Sequence, residues 1–208
     1  MLPFETVVTF FTAAMMLGMA PGPDNIFVLT QSALHGRNQG FVIVMGLCTG
    51  LMLHTMAVAL GVAVIFQTSA AAFTVLKLIG VGYLLYLAWQ AFRATAPAIQ
   101  SQGSEVFNSR GYYCRGIFMN VTNPKVSLFF LAFLPQFADP SRGPVIYQLL
   151  LLGGLFIMAT ILVFGGIALL AGTMSHWFKR SDRVQTIMTR LTGTVFVALA
   201  IKLAMSQR

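Results

Sequence analysis

The chain has 208 residues, 57% of them hydrophobic and 9% charged, with a mean hydropathy of +0.81. So little charge cannot cover the surface of a soluble domain of this length, and that class is excluded. The net charge of +8 is no argument for nucleic acid, because the basic residues have a simpler use at membrane boundaries.

Six apolar runs read as transmembrane helices: residues 4–34, 40–66, 73–92, 113–137, 145–172 and 187–205. Helices are expected because lipid offers no partner to an unpaired backbone group. The first run has no basic leader and no small-residue cleavage pattern, so it is read as a span rather than a signal peptide. It is interrupted by "MAPGPDNIF" (residues 19–27). Pro21, Gly22 and Pro23 break the helix and leave backbone groups near Ala20 and Gly22 free. Asp24 and Asn25 are placed to cap the next helical segment. The second run carries Cys48 and His54, with Met45, Met52 and Met56 on one helical face; Met15 and Met19 share a face of the first. Cys48 and Cys114 read as small buried hydrophobes rather than a disulfide. A polar stretch, residues 94–111, separates the third run from the fourth. The fourth is interrupted by "NVTNPKVSLFF" (residues 120–130), with a break at Pro124.

Arg37 lies in the first loop, Arg93, Arg110 and Arg115 flank the third, and Lys179, Arg180 and Arg183 fill the fifth, with Arg190 just beyond. The second loop has no basic residue and the fourth only Arg142. The odd loops are therefore expected to be cytoplasmic and both termini outside, with Lys202 and Arg208 counting against this. Trp89 and Trp177 suit interfacial positions.

The two halves resemble each other. "KLIGVGYLLYLA" (77–88) aligns with "RLTGTVFVALAI" (190–201), "GPDNIF" with "NPKVSL", and Gly50 and Gly61 with Gly154 and Gly165. Residues 1–98 and 105–208 thus read as two three-helix repeats. An odd number of spans in each makes them inverted, as in many secondary transporters. The expected fold is all-α, a single polytopic transmembrane domain with broken first and fourth helices. The glycines are expected to permit close helix packing.

Paired Pro/Gly breaks in corresponding spans point to a midplane substrate site. Of five acidic residues, Asp24 alone lies well inside a span, and Lys125 is its counterpart on the fourth. Both sit about 15–18 Å deep at 1.5 Å per residue. Charges there cost about 2.5–3.5 kcal/mol each, and pairing is the obvious relief. One reading is a salt bridge that only holds two broken helices together. The other is a zwitterion site, with Asp24 for an ammonium and Lys125 for a carboxylate. A half-helix N-terminus would assist on the carboxylate side. Asn120, Thr122 and Asn123 add donors and acceptors.

On "APGPDN" (20–25), "KLIGVGYLLYLA" and "NPKVSLFFLAFLPQF" (123–137), the chain resembles the lysine exporter and homoserine/threonine-resistance family, LysE/RhtB, over essentially its whole length. The resemblance implies a bacterial inner-membrane exporter of amino acids or related metabolites, driven by the membrane potential or a proton gradient. Some members of that family carry Asn at the position of Asp24.

With no second intramembrane carboxylate, a neutral amino acid is favoured over a cationic one. Asp24 and His54 are the proton-coupling candidates. The histidines do not cluster and the methionines are spaced as packing residues, so no metal or cofactor is expected, and metal export is the weaker alternative. No HExxH, no GxSxG and no paired carboxylates support an enzyme. The expected partners are a small amino-acid substrate, a coupling proton and the lipid bilayer. A homodimer is allowed, though no single feature demands one, and nucleic acid is not expected.

Overall fold

The computed structural model describes residues 2–20, 22–68, 70–93, 107–180 and 182–205. Pro21 and most of the polar linker lie outside the described residues, as do the side chains of Trp177, Lys179, Arg180 and Arg183.

All regular structure among the described residues is helical: α1 (Phe4–Met19), α2 (Pro23–His35), α3 (Arg37–Thr68), α4 (Ala70–Arg93), α5 (Ser109–Thr122), α6 (Pro124–Leu128), α7 (Val145–Arg180) and α8 (Asp182–Met205). A π-helical turn (Phe129–Phe133) and a 3-10 turn (Leu134–Phe137) prolong α6. Among the described residues, two single helices are long and apolar enough to cross a membrane, over Arg37–Gly61 and Val145–Ala171. The first and fourth predicted spans pass the same test as bent pairs, α1 with α2 at 63° and α5 with Pro124–Phe137 at 51°. Within α8, Gly193–Met205 forms a shorter apolar helix among the described residues. The order broken pair, long helix, 24-residue helix occurs twice.

The helix directions match an inverted duplication. Helices α3 and α7 pack antiparallel, with Thr55 beside Gly153 and Phe41 beside Gly165. So do α4 and α8, where Phe92 meets Gly193 and Lys77 reaches the Ala204 carbonyl. Each broken span instead lies parallel to the long helix of the other half. Phe10 and Gly18 of α1 meet Phe156 and Val163 of α7, while Gly116 and Asn120 of α5 meet Gly46 and Gly50 of α3. A twofold axis in the membrane plane gives this arrangement.

The α3–α5 crossing rests on missing side chains. A Cβ on Gly116 would stand 2.5 Å from the Ile43 carbonyl, and one on Gly46 would collide with the Tyr113 carbonyl. Of the glycines aligned between the halves, Gly50 packs tightly against Asn120. Gly61 and Gly154 face open space, and Gly165 makes only ordinary contact. Their match therefore records no shared packing. Cys48 is buried as expected, but Cys114 is exposed, because Tyr113, Gly116 and Ile117 occupy the α5 face that meets α3.

Met45, Met52 and Met56 are at least half exposed, on an outward face of α3 that suits lipid. Trp89 is half exposed with the Arg93 guanidinium 4.5 Å over its ring, an arrangement fit for the membrane interface. In the short segment before α7, Gln148 accepts from the Asp139 N–H and donates to the Asp139 and Gly143 carbonyls. The Ser141 hydroxyl and amide, with a lesser part from Arg142, hold the exposed Asp139 carboxyl below its ordinary value. Its support of this turn is present at neutral pH and fades as acid protonates it.

The interior divides into two apolar clusters. One is rich in phenylalanine and draws on α1, α3, α4, the fourth span, α7 and α8. The other surrounds Phe27, Leu47, Val163 and Phe164. Buried Asp24, Asn120, Asn123 and Thr160 lie among them, and the site is built there.

Candidate functional site

A helix that stops inside a membrane leaves its last carbonyls without partners. In α1 these are answered by residues from beyond the break. The Ala20 N–H donates to the Met16 carbonyl, and the Asn25 side-chain amide donates to the Gly18 carbonyl at 2.7 Å. The Lys125 ammonium, from the other broken span, donates to the Leu17 and Ala20 carbonyls at 3.3 and 3.2 Å. A cation is thus placed at the negative end of the α1 dipole. Gly22 admits it, since a Cβ there would lie 3.3 Å from the Lys125 Nζ.

Helix α2 opens with Pro23 at its first position, where no N–H is needed, and Asp24 in its first turn, where a carboxylate suits the positive end. The Asn123 side-chain amide donates to the Asp24 carboxylate at 2.6 Å. The same Asn123 caps α6, its side-chain oxygen accepting the Lys125 N–H at 3.0 Å, and Pro124 again takes the first helical position. One asparagine therefore joins the two breaks.

The expected ion pair between Asp24 and Lys125 is not formed. Among the described residues the salt bridge is Arg142 with Asp139, in the exposed turn. Each buried charge is instead held by the half-helix end it faces and by Asn123 or backbone carbonyls, which relieves its burial without direct pairing. Two opposite charges thus lie near one another, each held apart from the other.

Both line one small cavity, together with Asn120, Thr160, Phe156 and Phe164. Its volume is about 20 Å³, room for about one water. The Asn25 and Asn120 side-chain oxygens are buried with no hydrogen-bond partner, so acceptors beside the breaks stand unused. Thr122 lies apart, exposed, its hydroxyl donating to the Phe118 carbonyl one turn back. The His54 ring nitrogen lies 3.4 Å from the Asn120 carbonyl, and its ring stacks obliquely on Phe130. Thr160 and the two phenylalanines were missed by sequence reasoning. A threonine mid-span in the fifth run was the one available signal. No group of three or more His, Cys, Asp or Glu able to hold a metal ion occurs among the described residues.

Comparison with known proteins identifies the family. The family model for LysE type translocators matches residues 15–207. The chain belongs to the LysE type translocator family. This is a family of transporters, which sets aside the enzyme alternative. Among curated relatives, a homoserine/homoserine lactone efflux protein of Salmonella typhi is 34% identical over 97% of both chains. A leucine efflux protein of Salmonella choleraesuis is 25% identical over 96% of this chain and 94% of its own. A membrane protein of Vibrio cholerae is 30% identical over 94% of both. No solved structure matches. The LysE type translocator described here is thus a membrane protein whose two matched breaks carry its buried charges.

Proposed function

We propose that this translocator exports neutral amino acids or related metabolites from the cytoplasm by alternating access, driven by the proton motive force. The observation that carries the reading is the pair of opposite charges at the two breaks, Asp24 buried and Lys125 partly buried, that are not bonded to each other. An α-amino acid presents an ammonium to Asp24, Asn25 and Asn120, and a carboxylate to Lys125 and the first turn of α6. Asn123, between them, senses both. The cavity is far too small for such a ligand, so binding requires the two halves to part. Among the described residues no second acid lines the cavity to hold a cationic side chain. Relatives are named for efflux of homoserine and homoserine lactone and of leucine; homoserine and leucine are neutral amino acids, which supports the same substrate class.

Asp24 is the group we assign to proton coupling, since the other intramembrane candidate, His54, is turned to a backbone carbonyl. Exposed Arg37, Arg110 and Arg115 lie at the starts of parallel helices α3 and α5, hence on one side of the membrane. That supports a cytoplasmic face for the odd loops and outward termini in the inner membrane. A C-terminal phosphatase fusion should then be active in whole cells, and inactivity would reverse the orientation.

The test of function is uptake of labelled amino acids into inside-out vesicles, with and without a pH gradient. Gradient-dependent uptake of homoserine, threonine or leucine is expected, with lysine excluded. Lysine uptake in preference would favour a cationic substrate, and failure of every amino acid by folded protein would overturn the reading. Lys125→Ala is expected to lose uptake and also to lower thermal stability, because two α1 carbonyls lose their partner. Each such buried unmet group costs about 1–3 kcal/mol.

A further inference from the structure

We propose that the phenylalanine cluster on the π-helical turn is the outward gate of the transport route, and that the open groove beyond it is the exit vestibule. This rests on the reading of the central cavity as the substrate site.

The groove, about 960 Å³, lies between the first turns of α1, the end of the fourth span and the end of α8. Glu5, Thr6, Thr9, Gln136 and Asp139 set polar groups in an otherwise largely apolar lining, and its floor is the buried Phe133 and Phe137. From that floor an unbroken chain of rings leads inward. Phe137 lies 5.0 Å from Phe133, Phe133 lies 4.8 Å from Phe129, and Phe129 lies 5.2 Å from Phe156, which lines the central cavity. Phe10 closes the cluster from α1, 5.1 Å from Phe137.

The two broken spans give the same order independently. On α1 it is Thr9 at the groove, Phe10 in the plug, then Leu17 and Gly18 at the cavity. On the fourth span it is Val126 at the cavity, Phe129 in the plug, then Phe133 and Phe137 at the groove. From Phe10 to Leu17, and from Val126 to Phe133, is about 10 Å of helix. A dry constriction of this kind blocks ions and polar solutes by excluding water.

The plug is also built to move. Pro135 has no N–H for the carbonyl four residues back, and the helix widens there, with the Leu134 N–H bonding the Phe129 carbonyl. π-helical turns of this kind recur at functional sites. A return to regular α-helix would rotate the ring-bearing residues relative to α1.

The opposite seal differs. Around Phe27, Leu47 and Phe164, the Gln31, Ser32 and Tyr112 side chains hold buried polar atoms without partners, whereas no such atom occurs in the plug among the described residues. Water entering that side would satisfy them, so the inward seal opens more readily and the phenylalanine plug is the tighter barrier.

The test reads access, not transport. Cys48→Ala and Cys114→Ser provide the background, and Val126→Cys is the reporter. A charged, membrane-impermeant methanethiosulfonate is added to reconstituted protein from the groove side. A Thr6→Cys reporter should react readily throughout. Val126→Cys should react at least tenfold faster once Phe133→Ala is added, while Ile43→Cys, in the other cluster, stays protected. Unchanged Val126→Cys reactivity beside a reactive Thr6→Cys would overturn the gate.

A second experiment needs no cavity. Crosslinking Phe10→Cys to Phe137→Cys with a short cleavable bifunctional thiol reagent should stop vesicle uptake at least tenfold, and reductant should restore it. Undiminished uptake by crosslinked protein would overturn the gate. Labelling that rises as expected in a protein taking up no amino acid would leave the gate standing and the amino-acid reading overturned. Lost uptake in Asp24→Ala with no effect of the crosslink would do the reverse.

Discussion

Asp24→Ala is expected to lower vesicle uptake by about thirtyfold or more while the protein still inserts. Leaving a buried hydrogen-bonding group without its partner costs about 1–3 kcal/mol, and every 1.4 kcal/mol is about tenfold. The loss has two sources. The Asn123 amide loses the carboxylate it donates to at 2.6 Å, and the substrate ammonium loses its counter-charge. Asn123→Ala also breaks that bond and takes the α6 cap with it, but it keeps the counter-charge, so substrate binding should suffer less. The double variant should cost less than the sum, because the residues share one bond. Asp24→Asn separates binding from coupling. It keeps a hydrogen-bond acceptor for the Asn123 amide. Binding should survive while acceleration of uptake by a pH gradient disappears. Uptake by Asp24→Asn that still doubles or more with the gradient would move coupling to another residue, with His54 the next to replace.

Gly116→Leu is expected to do more damage to the fold than any charge substitution. Its Cβ would meet the Ile43 carbonyl at 2.5 Å and the Gly46 Cα at 3.1 Å. These are backbone atoms on a facing helix, so no side chain can turn aside and α3 and α5 must separate. Overpacking costs about 1–3 kcal/mol, and for a chain of this size each of these is worth about 2–4 °C in Tm. A fall of about 5 °C or more, or loss of monodisperse protein, is expected in a detergent melt. Transport should fail as well, since α5 ends in Asn120 and Asn123. Gly61→Leu is the control. Nothing lies within 4 Å of a Cβ there, so its Tm should stay within about 1 °C. Equal losses at both positions would mean that helix propensity or insertion, rather than the α3–α5 crossing, sets the effect.

Much of the site was legible because its residues are costly where they stand. A carboxylate, an ammonium and prolines inside apolar runs demand compensation that the sequence shows without any contact. Thr122 illustrates the limit. It lies beside Asn123 in the chain, yet it faces outward and bonds its own helix, because the kink at Pro124 turns the two residues apart. Aligned glycines misled in the same way, since Gly50 packs against Asn120 while its counterpart Gly154 faces no neighbour. Cys114 was placed inside by residue type, and the α5–α3 crossing left it outside.

By itself the sequence determined that this is a membrane protein of helices, that its first and fourth spans break, and that Asp24 and Lys125 need partners at depth. Those conclusions rest on burial costs that attach to single residues and to their spacing. Only the tertiary structure decided who the partners are. Lys125 answers the carbonyls of α1 and Asp24 takes the Asn123 amide, because each half-helix end offers its own field and the two charges satisfy it separately. It also decided where the phenylalanines gather and what they separate. Ring contacts join α1, the fourth span and α7 across more than a hundred residues, and periodicity within one helix carries no information about such neighbours.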